Sequence, residues 1–413
     1  MAQVNITLNK EEILQVLTGD REEALKFLLE RILNEIMKAE SEEQIGALKH
    51  ERSDERRDYR NGNRERQLTT RIGTLTLQVP RHRNEPFHTM VFENYKRSEA
   101  SLISTMVQMV ISGVSTRKVS KVVETLCGQT FSKSTVSELC KRLDADIKAF
   151  KEQPLDWIEA PFVLVDATYF KAREEHRIVA KAFMIALAIK ADGHREIIGF
   201  NVYDAEDNFS WNHFLTDLRD RGLKSVKVIT SDAHKSIRKA IAEVYPNVAW
   251  QRCQVHLMRN ILDKIPAKYK EGIKIELREM FNAPTLKEAR RRKNEIIKDY
   301  ESIAEKAMLI LEEGFEDSMT VMNLPKYIRV VVRTTNILER TNRELKRRSD
   351  VIQVFPNAAS VLRLMGAVAM EHSEIHSAKQ RIFTETKYLE LKPQLTVEYE
   401  DIAIKQLALL QAA

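Results

Sequence analysis

Cysteine is scarce in this sequence. Three of its 413 residues are cysteine, Cys127, Cys140 and Cys253, too few for a disulfide framework, and a reducing cytoplasm is the expected compartment. Long apolar runs are missing too, since none approaches the ~20 residues that span a bilayer. The opening Met1-Ala2-Gln3-Val4-Asn5 lacks the basic-then-apolar form of a secretion signal. A membrane role is not expected. Nor does one sign of charge prevail: 66 basic residues against 60 acidic leave only +6, so the placing of the surplus matters more than its size. What is present suits a soluble folded protein, 43% hydrophobic and 31% charged. At this length the chain exceeds one compact core and predicts two to four domains.

Residues 1–50 read as a helical region over 9–49. Asn9 and Asp20 are candidate N-caps, and Leu25, Leu28, Leu29, Ile32, Leu33 and Ile36 recur at helical spacing. That stripe fits packing inside a small helical domain or a dimer contact. Residues 51–98 then turn basic. Between 60 and 83 stand six arginines (Arg60, Arg64, Arg66, Arg71, Arg81 and Arg83) against one acid, Glu65. Within this stretch residues 70–79 alternate like a strand with one buried face, which Pro80 is expected to stop. A basic hairpin of this kind suits phosphates or a groove of double-stranded DNA, although a solvated linker has the same composition.

Residues 99–150 form a helical unit. Leu102, Ile103, Met106, Val107 and Val110 make one stripe, ended at Gly113. Ser115 or Thr116 caps a helix with Val119, Val122, Val123 and Leu126 inward. Ser132 starts another, with Val136, Leu139, Cys140 and Leu143 inward. The pair looks like a helix-turn-helix whose second helix would present Lys133, Ser134, Thr135 and Ser137 to DNA.

From 155 the class becomes α/β. Phe162-Val163-Leu164-Val165 is a short apolar run, Lys181 to Ile189 a second strand, Asp192-Gly193 a hairpin turn, and Glu196 to Tyr203 a third strand. A helix from about Trp211, a strand at 226–230, a helix over 233–245 and a short strand at 248–250 complete a mixed sheet flanked by helices. Residues 254 to about 323 are helical and highly charged. Helix resumes after Pro325, with breaks expected near Pro356 and Pro393.

Two aspartates sit on the apolar strands. Asp166 follows the first run and Asp232 follows the strand at 226–230. Acidic residues are depleted in strands and need a partner or a cation when buried. Each has a plainer reading, backbone amides for Asp166 and helix capping for Asp232. Asp204, Glu206 and Asp207, between the two, read as a loop ahead of a helix. A third carboxylate comes from the segment 326–348, where eight basic residues face two acids. On a helix Asn336, Glu339, Asn342 and Arg343 share one face, while Glu344 points about 140° away from Glu339. Glu339 fits a metal ligand beside bound phosphates held by Arg333, Asn336, Arg340 and Arg343. It equally fits an ion pair with Arg343, as Glu344 fits one with Arg348. Mg²⁺ favours such carboxylate sites, and a pair of ions about 4 Å apart clamps both oxygens of an in-line phosphoryl displacement.

Val163-Leu164-Val165-Asp166-Ala167-Thr168-Tyr169, Thr230-Ser231-Asp232-Ala233-His234, Cys253-Gln254-Val255-His256, and Thr334-Thr335-Asn336 leading to Glu339-Arg340-Thr341-Asn342 together resemble the bacterial mutator-type insertion-sequence transposases, relatives of the eukaryotic Mutator elements. Tyr59-Arg60-Asn61-Gly62 and Val79-Pro80-Arg81 are similar to that family's N-terminal region, so the resemblance spans nearly the whole chain. It implies a ribonuclease-H-like core in two parts, 155–260 and 326–382, split by an all-helical insertion at 261–325 and followed by a helical tail at 383–413. It implies Asp166, Asp232 and Glu339 as the metal-binding triad, with two Mg²⁺ ions for which Mn²⁺ would substitute. It also implies a homodimer on DNA pairing two element ends, with movement through a circular intermediate. Cys253 and His256 have a zinc-like spacing without a second ligand pair nearby, and in the family this pair accompanies the core, which implies a structural or DNA-positioning role. The competing functions are a non-enzymatic DNA-binding regulator and a ribonuclease-H-like nuclease that does not transfer strands.

Overall fold

The computed structural model describes residues 10, 21–49, 51, 56–70, 73–127 and 132–412. The expected caps Asn9 and Asp20, and Arg71, lie outside them. By its internal contacts the chain divides into two units, meeting in sequence between Arg142 and Leu143. No helix among the described residues is long and apolar enough to cross a membrane.

In the first unit, helix α1 (Arg21–Ile45) leads to a two-stranded antiparallel ribbon, β1 (Arg60–Thr70) and β2 (Gly73–His82). The alternation in β2 has its expected result. Leu75, Leu77 and Val79 are buried and pack with Leu33, Met37 and Val91, while Thr76 and Gln78 face outward. Only part of the predicted α1 stripe is used, because Met37 is fully buried whereas Leu25 is 52% exposed. The backbone amides of Thr76 and Gln78 donate to Glu30 Oε1 and Asn34 Oδ1 at 2.7 and 2.8 Å. Side chains of α1 thereby occupy the free edge of β2, which would otherwise be open to pairing. Pro80 does not stop the strand. It pairs with Asn63, beside a register shift between Arg60 and Asn63, and an irregular position tolerates a missing N–H.

Helices α2 (Met90–Ile111), α3 (Thr116–Cys127) and α4 (Lys133–Leu139) follow. Met106, Val119, Val123 and Val136 form their shared core, as their spacing predicts. Ser132 caps α4, its hydroxyl accepting the Thr135 amide at 3.0 Å. The turn residues 128–131 lie outside the described residues.

The second unit begins with α5 (Leu143–Glu152) and is built on a five-stranded sheet of order β5-β4-β3-β6-β7. Its strands are β3 (Phe162–Glu174), β4 (Arg177–Ile189), β5 (Arg195–Tyr203), β6 (Val228–Ser231) and β7 (Ala249–Arg252). The first three form an antiparallel meander, and β6 and β7 run parallel to β3. Every residue of β4 from Ala182 to Ile189 is fully buried, which is why that run reads as continuously apolar instead of alternating. Helices α6 (Asn208–Asp220) and α7 (Lys235–Val244) cover one face through Trp211, Phe214, Ile237 and Ile241.

After β7 come α8 (Gln254–Asp263), α9 (Lys270–Phe281) and the long, kinked α10 (Leu286–Ser318). They share a core of their own that includes Ile261, Leu277, Ile296 and Leu311, and no described residue there is in a strand. The chain returns through α11 (Lys326–Val332), α12 (Asn336–Ser349), α13 (Ala358–Ser377) and α14 (Glu385–Ala412). The break near Pro356 falls between α12 and α13. The one expected at Pro393 does not occur, because Pro393 lies inside α14. Leu395, Tyr399 and Ala403, buried along the next two turns, keep the helix packed despite the lost amide bond.

Candidate active site

Two neighbouring strands deliver two carboxylates to one level. The parallel register of β3 and β6 ends at Leu164 opposite Thr230. Asp166 and Asp232 each lie two residues beyond that pair, so both stand at one level, Asp232 just past the end of β6 and Asp166 inside β3, which runs on against β4 to Glu174. Asp166 accepts the Ala167 amide at 3.0 Å and the Asn342 side-chain amide at 2.9 Å. Asp232 Oδ1 accepts the His234 amide at 3.2 Å. It does not cap α7, whose N-cap is His234.

The third carboxylate arrives on α12, whose start is fastened to the strand ends. Thr230 Oγ1 donates to the Val332 carbonyl at 2.7 Å, and the Gln254 backbone amide donates to the Arg333 carbonyl at 3.1 Å. The Thr335 amide and hydroxyl point to the buried Cys253 sulfur at 3.4 and 3.5 Å. Glu339 then stands in the first turn of α12. Its Oε1 lies 3.5 Å from both His256 Nε2 and Arg259 Nη2. The expected alternative, a pair with Arg343, is not made. Glu344 by contrast does pair with Arg348, at 2.7 Å, and with Arg347, and it is held down to about 2 first by the Arg347 hydrogen bond.

The electrostatics bind these groups into one site. Burial pushes the Asp166 carboxyl up to about 7, with the charges of Asp232 and Glu339 adding to the rise and His256 opposing it. His256 is lifted to about 9, first by its hydrogen bond to Cys253 and, against burial, by the charges of Cys253, Asp166 and Asp232. Burial pushes the Cys253 thiol up, but the His256 and Thr335 interactions outweigh it and leave the thiol below its ordinary value. Three acids near one basic pair leave this end of the sheet short of positive charge. The donor chemistry therefore suits divalent cations. The side chains are nonetheless turned to protein partners, and among the described residues no three His, Cys, Asp or Glu stand close enough together to hold a metal ion.

A fourth acid faces the same place. Glu206 accepts from the Tyr169 hydroxyl and the Trp211 indole, each at 3.3 Å, and burial followed by the Asp232 charge raises its pKa. Sequence reasoning sets it aside with Asp204 and Asp207 as loop. All three do lie in the loop ahead of α6, where Asp207 caps the helix and Asp204 pairs with Lys181, and only Glu206 turns toward Asp232. Arg259 and the role of Asn342 also escape the sequence reading. The available signal was position, since Arg259 is one helical turn beyond His256 and Asn342 one turn beyond Glu339.

The other candidates separate into exposed and engaged groups. Arg64, Arg66 and Arg81 are exposed on the ribbon. Arg60 instead donates to the Ala47 carbonyl at 2.8 Å and pairs with Glu42. Lys133, Ser134 and Thr135 are exposed at the start of α4, with both hydroxyls bonded to Ser132 Oγ. Asn336, Arg340 and Arg343 are exposed on α12. Arg333 donates to the Phe281 carbonyl and Asn282 Oδ1, each at 3.0 Å, tying α9 to the start of α12. Trp250 is buried, its indole on Ser231 Oγ at 2.8 Å, a core residue as expected.

Residues 1–378 match the family model described as Transposase, Mutator family. The chain is 40% identical to the transposase for insertion sequence element IS256 in transposon Tn4001 of Staphylococcus aureus, across 92% of this chain and 99% of that protein. It is also 40% identical to the transposase for insertion sequence element ISRM5 of Rhizobium meliloti, across 85% of this chain and 88% of the relative. With the transposase for insertion sequence element IS1081 of Mycobacterium tuberculosis it shares 36% identity, across 85% of each.

Proposed function

The chain belongs to the Mutator family of transposases, and on that premise we propose that it binds insertion-sequence ends and cuts and rejoins DNA strands at Asp166, Asp232 and Glu339. The observation that carries this reading is the convergence of the three acids. Asp166 inside β3 and Asp232 just past β6 stand at one level on neighbouring parallel strands, the third comes on α12, and the charges of both Asp232 and Glu339 act on the Asp166 carboxyl. The antiparallel meander continued by two parallel strands supports a ribonuclease-H-like core. The separately packed helices between β7 and α11 are the insertion on this reading.

The site would hold two Mg²⁺ ions, or Mn²⁺ in their place, on the three carboxylates. When bound, such a pair activates the attacking oxygen and neutralises charge on the leaving one. The chain's own residues do the rest. Asp166, inside β3, and Asp232, just past the end of β6, would supply two of the ligands, and Glu339, which stands beside His256 and Arg259, would supply the third. His256 and Arg259 would lie beside the strand as positive groups. Cys253, through Thr335, keeps the start of α12 over the strands. Asn336, Arg340 and Arg343 hold phosphates of the cut strand, while the ribbon and α4 of the first unit track the element end, using Arg64, Arg66, Arg81, Lys133, Ser134 and Thr135. No covalent protein–DNA bond is required. The working form is a homodimer on DNA in the bacterial cytoplasm.

The test is to incubate the purified full chain with labelled element ends and Mg²⁺ and to resolve nicked from joined products. Parent protein should give both, and Asp166→Ala neither, with DNA binding retained. Nicks without any joined product would leave a nuclease. Cleavage by Asp166→Ala at the parent rate would overturn the site.

A further inference from the structure

We infer that Asn342 is a positioning residue for Asp166, with its second amide atom reserved for the cation or its water. The inference rests on the three-acid reading above and extends it to a neutral residue. Asn342 follows Glu339 by one helical turn, on the same face of α12. It is 8% exposed. Its Nδ2 donates to Asp166 Oδ2 at 2.9 Å. Its Oδ1 is buried with no hydrogen-bond partner among the described residues.

Each half of the amide has a consequence. The donor half links the helix carrying Glu339 to the strand carrying Asp166, and it favours the charged carboxylate that a ligand must be. The acceptor half is costly as it stands, because a buried amide oxygen forfeits its hydration unless a donor or a cation replaces it. A hydrated divalent ion beside Asp166 supplies what is missing. Packing alone does not require an amide here. Leu338 and Leu345 are fully buried on the same helix and Thr341 is bonded to His376, so α12 is anchored without Asn342.

The experiment uses Mn²⁺ as the probe and the full chain as the protein, with free Mn²⁺ followed by paramagnetic resonance and melting followed with and without the ion. Asn342→Leu keeps the branching at Cγ, with bulkier methyls, and loses both polar atoms, and it should weaken Mn²⁺ binding about 10–100-fold, the usual cost of removing a group that orients a ligand. Asn342→Asp places a further carboxylate against Asp166. It should melt lower than the parent without metal and gain more from Mn²⁺ than the parent gains, since an ion that binds the folded state stabilises it. A purely structural asparagine predicts neither the affinity loss nor the larger metal-dependent gain. If Asn342→Leu fails to fold, the melting comparison for Asn342→Asp decides alone. Asp166→Ala separates the two levels of the argument. Should it lose Mn²⁺ while both Asn342 variants match the parent, the three-acid site stands and this inference is overturned. Should it bind Mn²⁺ like the parent, the three-acid reading fails and takes this inference with it.

Discussion

The two units use charge in opposite ways. In the first, the β1–β2 ribbon exposes Arg64, Arg66 and Arg81, with only Arg60 turned to Ala47 and Glu42, and among the described residues Arg64 and Arg81 have no acidic partner within ion-pair distance. In the second, a tighter arginine run is spent on neighbours. Arg290 pairs with Glu316 at 2.8 Å, Arg291 with Glu288 at 2.6 Å and with Glu295, and Arg292 with Glu288 at 3.0 Å and with Glu279. The second unit instead leaves an excess of acids at the end of its sheet. Arginine count therefore says little about DNA binding. What separates the two runs is the acids at helical spacing around the second, which the ribbon lacks.

The largest effect expected from breaking this arrangement lies at the acids. Glu339→Ala should lower strand cleavage by at least about 10²-fold, on the scale of removing one group that stabilises a transition state, with DNA binding intact. Glu344→Ala should leave cleavage near the parent level, because Glu344 is occupied by Arg347 and Arg348. Single-turnover cleavage of a labelled element end measures both. A dead Glu344→Ala beside an active Glu339→Ala would reverse the assignment of the third acid.

Next in size is the ribbon. Arg64→Glu and Arg81→Glu should each weaken binding to element ends. Every phosphate that goes unneutralised should reduce the slope of log affinity against log salt by about 1. Binding isotherms across a salt series report this. An unchanged slope for both would make the ribbon a structural element and return DNA recognition to the second unit.

How much of this was legible depended on whether a residue's partner lies nearby in sequence. The continuous burial of β4, the alternation of β2, the helix cores at Met106, Val119, Val123 and Val136, and the two strand-borne aspartates could all be read from local pattern. The hairpin expected within 51–98 is present, but the bounds of its first strand, β1, could not be read. Residues 60–67 are polar throughout, and they become a strand only because β2 pairs with them. The outer half of β3 was hidden for a similar reason. Its Lys171 to Glu174 look like loop, yet pairing with β4 extends to Glu174 opposite Arg177, and the buried Lys181 is satisfied by Glu174 and Asp204 at 2.6 Å each. At the candidate site, motif resemblance named Asp166, Asp232 and Glu339, whose charges act on one another in the fold. Glu206, Arg259 and the Asn342 bond depend on distant segments meeting, which spacing does not encode. Pro80 and Pro393 misled because proline's missing donor matters only where the fold needs that bond.

The smallest expected effect sharpens the comparison from its other side. If the α10 arginines are committed to glutamates, neutralising them should not move DNA binding. Arg290→Gln and Arg292→Gln replace a charge on an exposed helix and leave the packed face, Ala289 and Ile296, untouched. Arg290 is 52% exposed and its partner Glu316 60%, so solvent screens the pair and its loss should lower the melting temperature by no more than a few degrees. Glu288, held down to about 2 first by its Arg291 hydrogen bond, remains partnered by Arg291 in Arg292→Gln, which limits the cost of that change further. The salt dependence of DNA affinity is the deciding measurement. It should superimpose on the parent for both variants while Arg64→Glu departs from it. A flattened slope for Arg290→Gln would mean that the glutamates release their arginines to phosphate on binding, and the helical region after β7 would then join the ribbon as a DNA-binding surface.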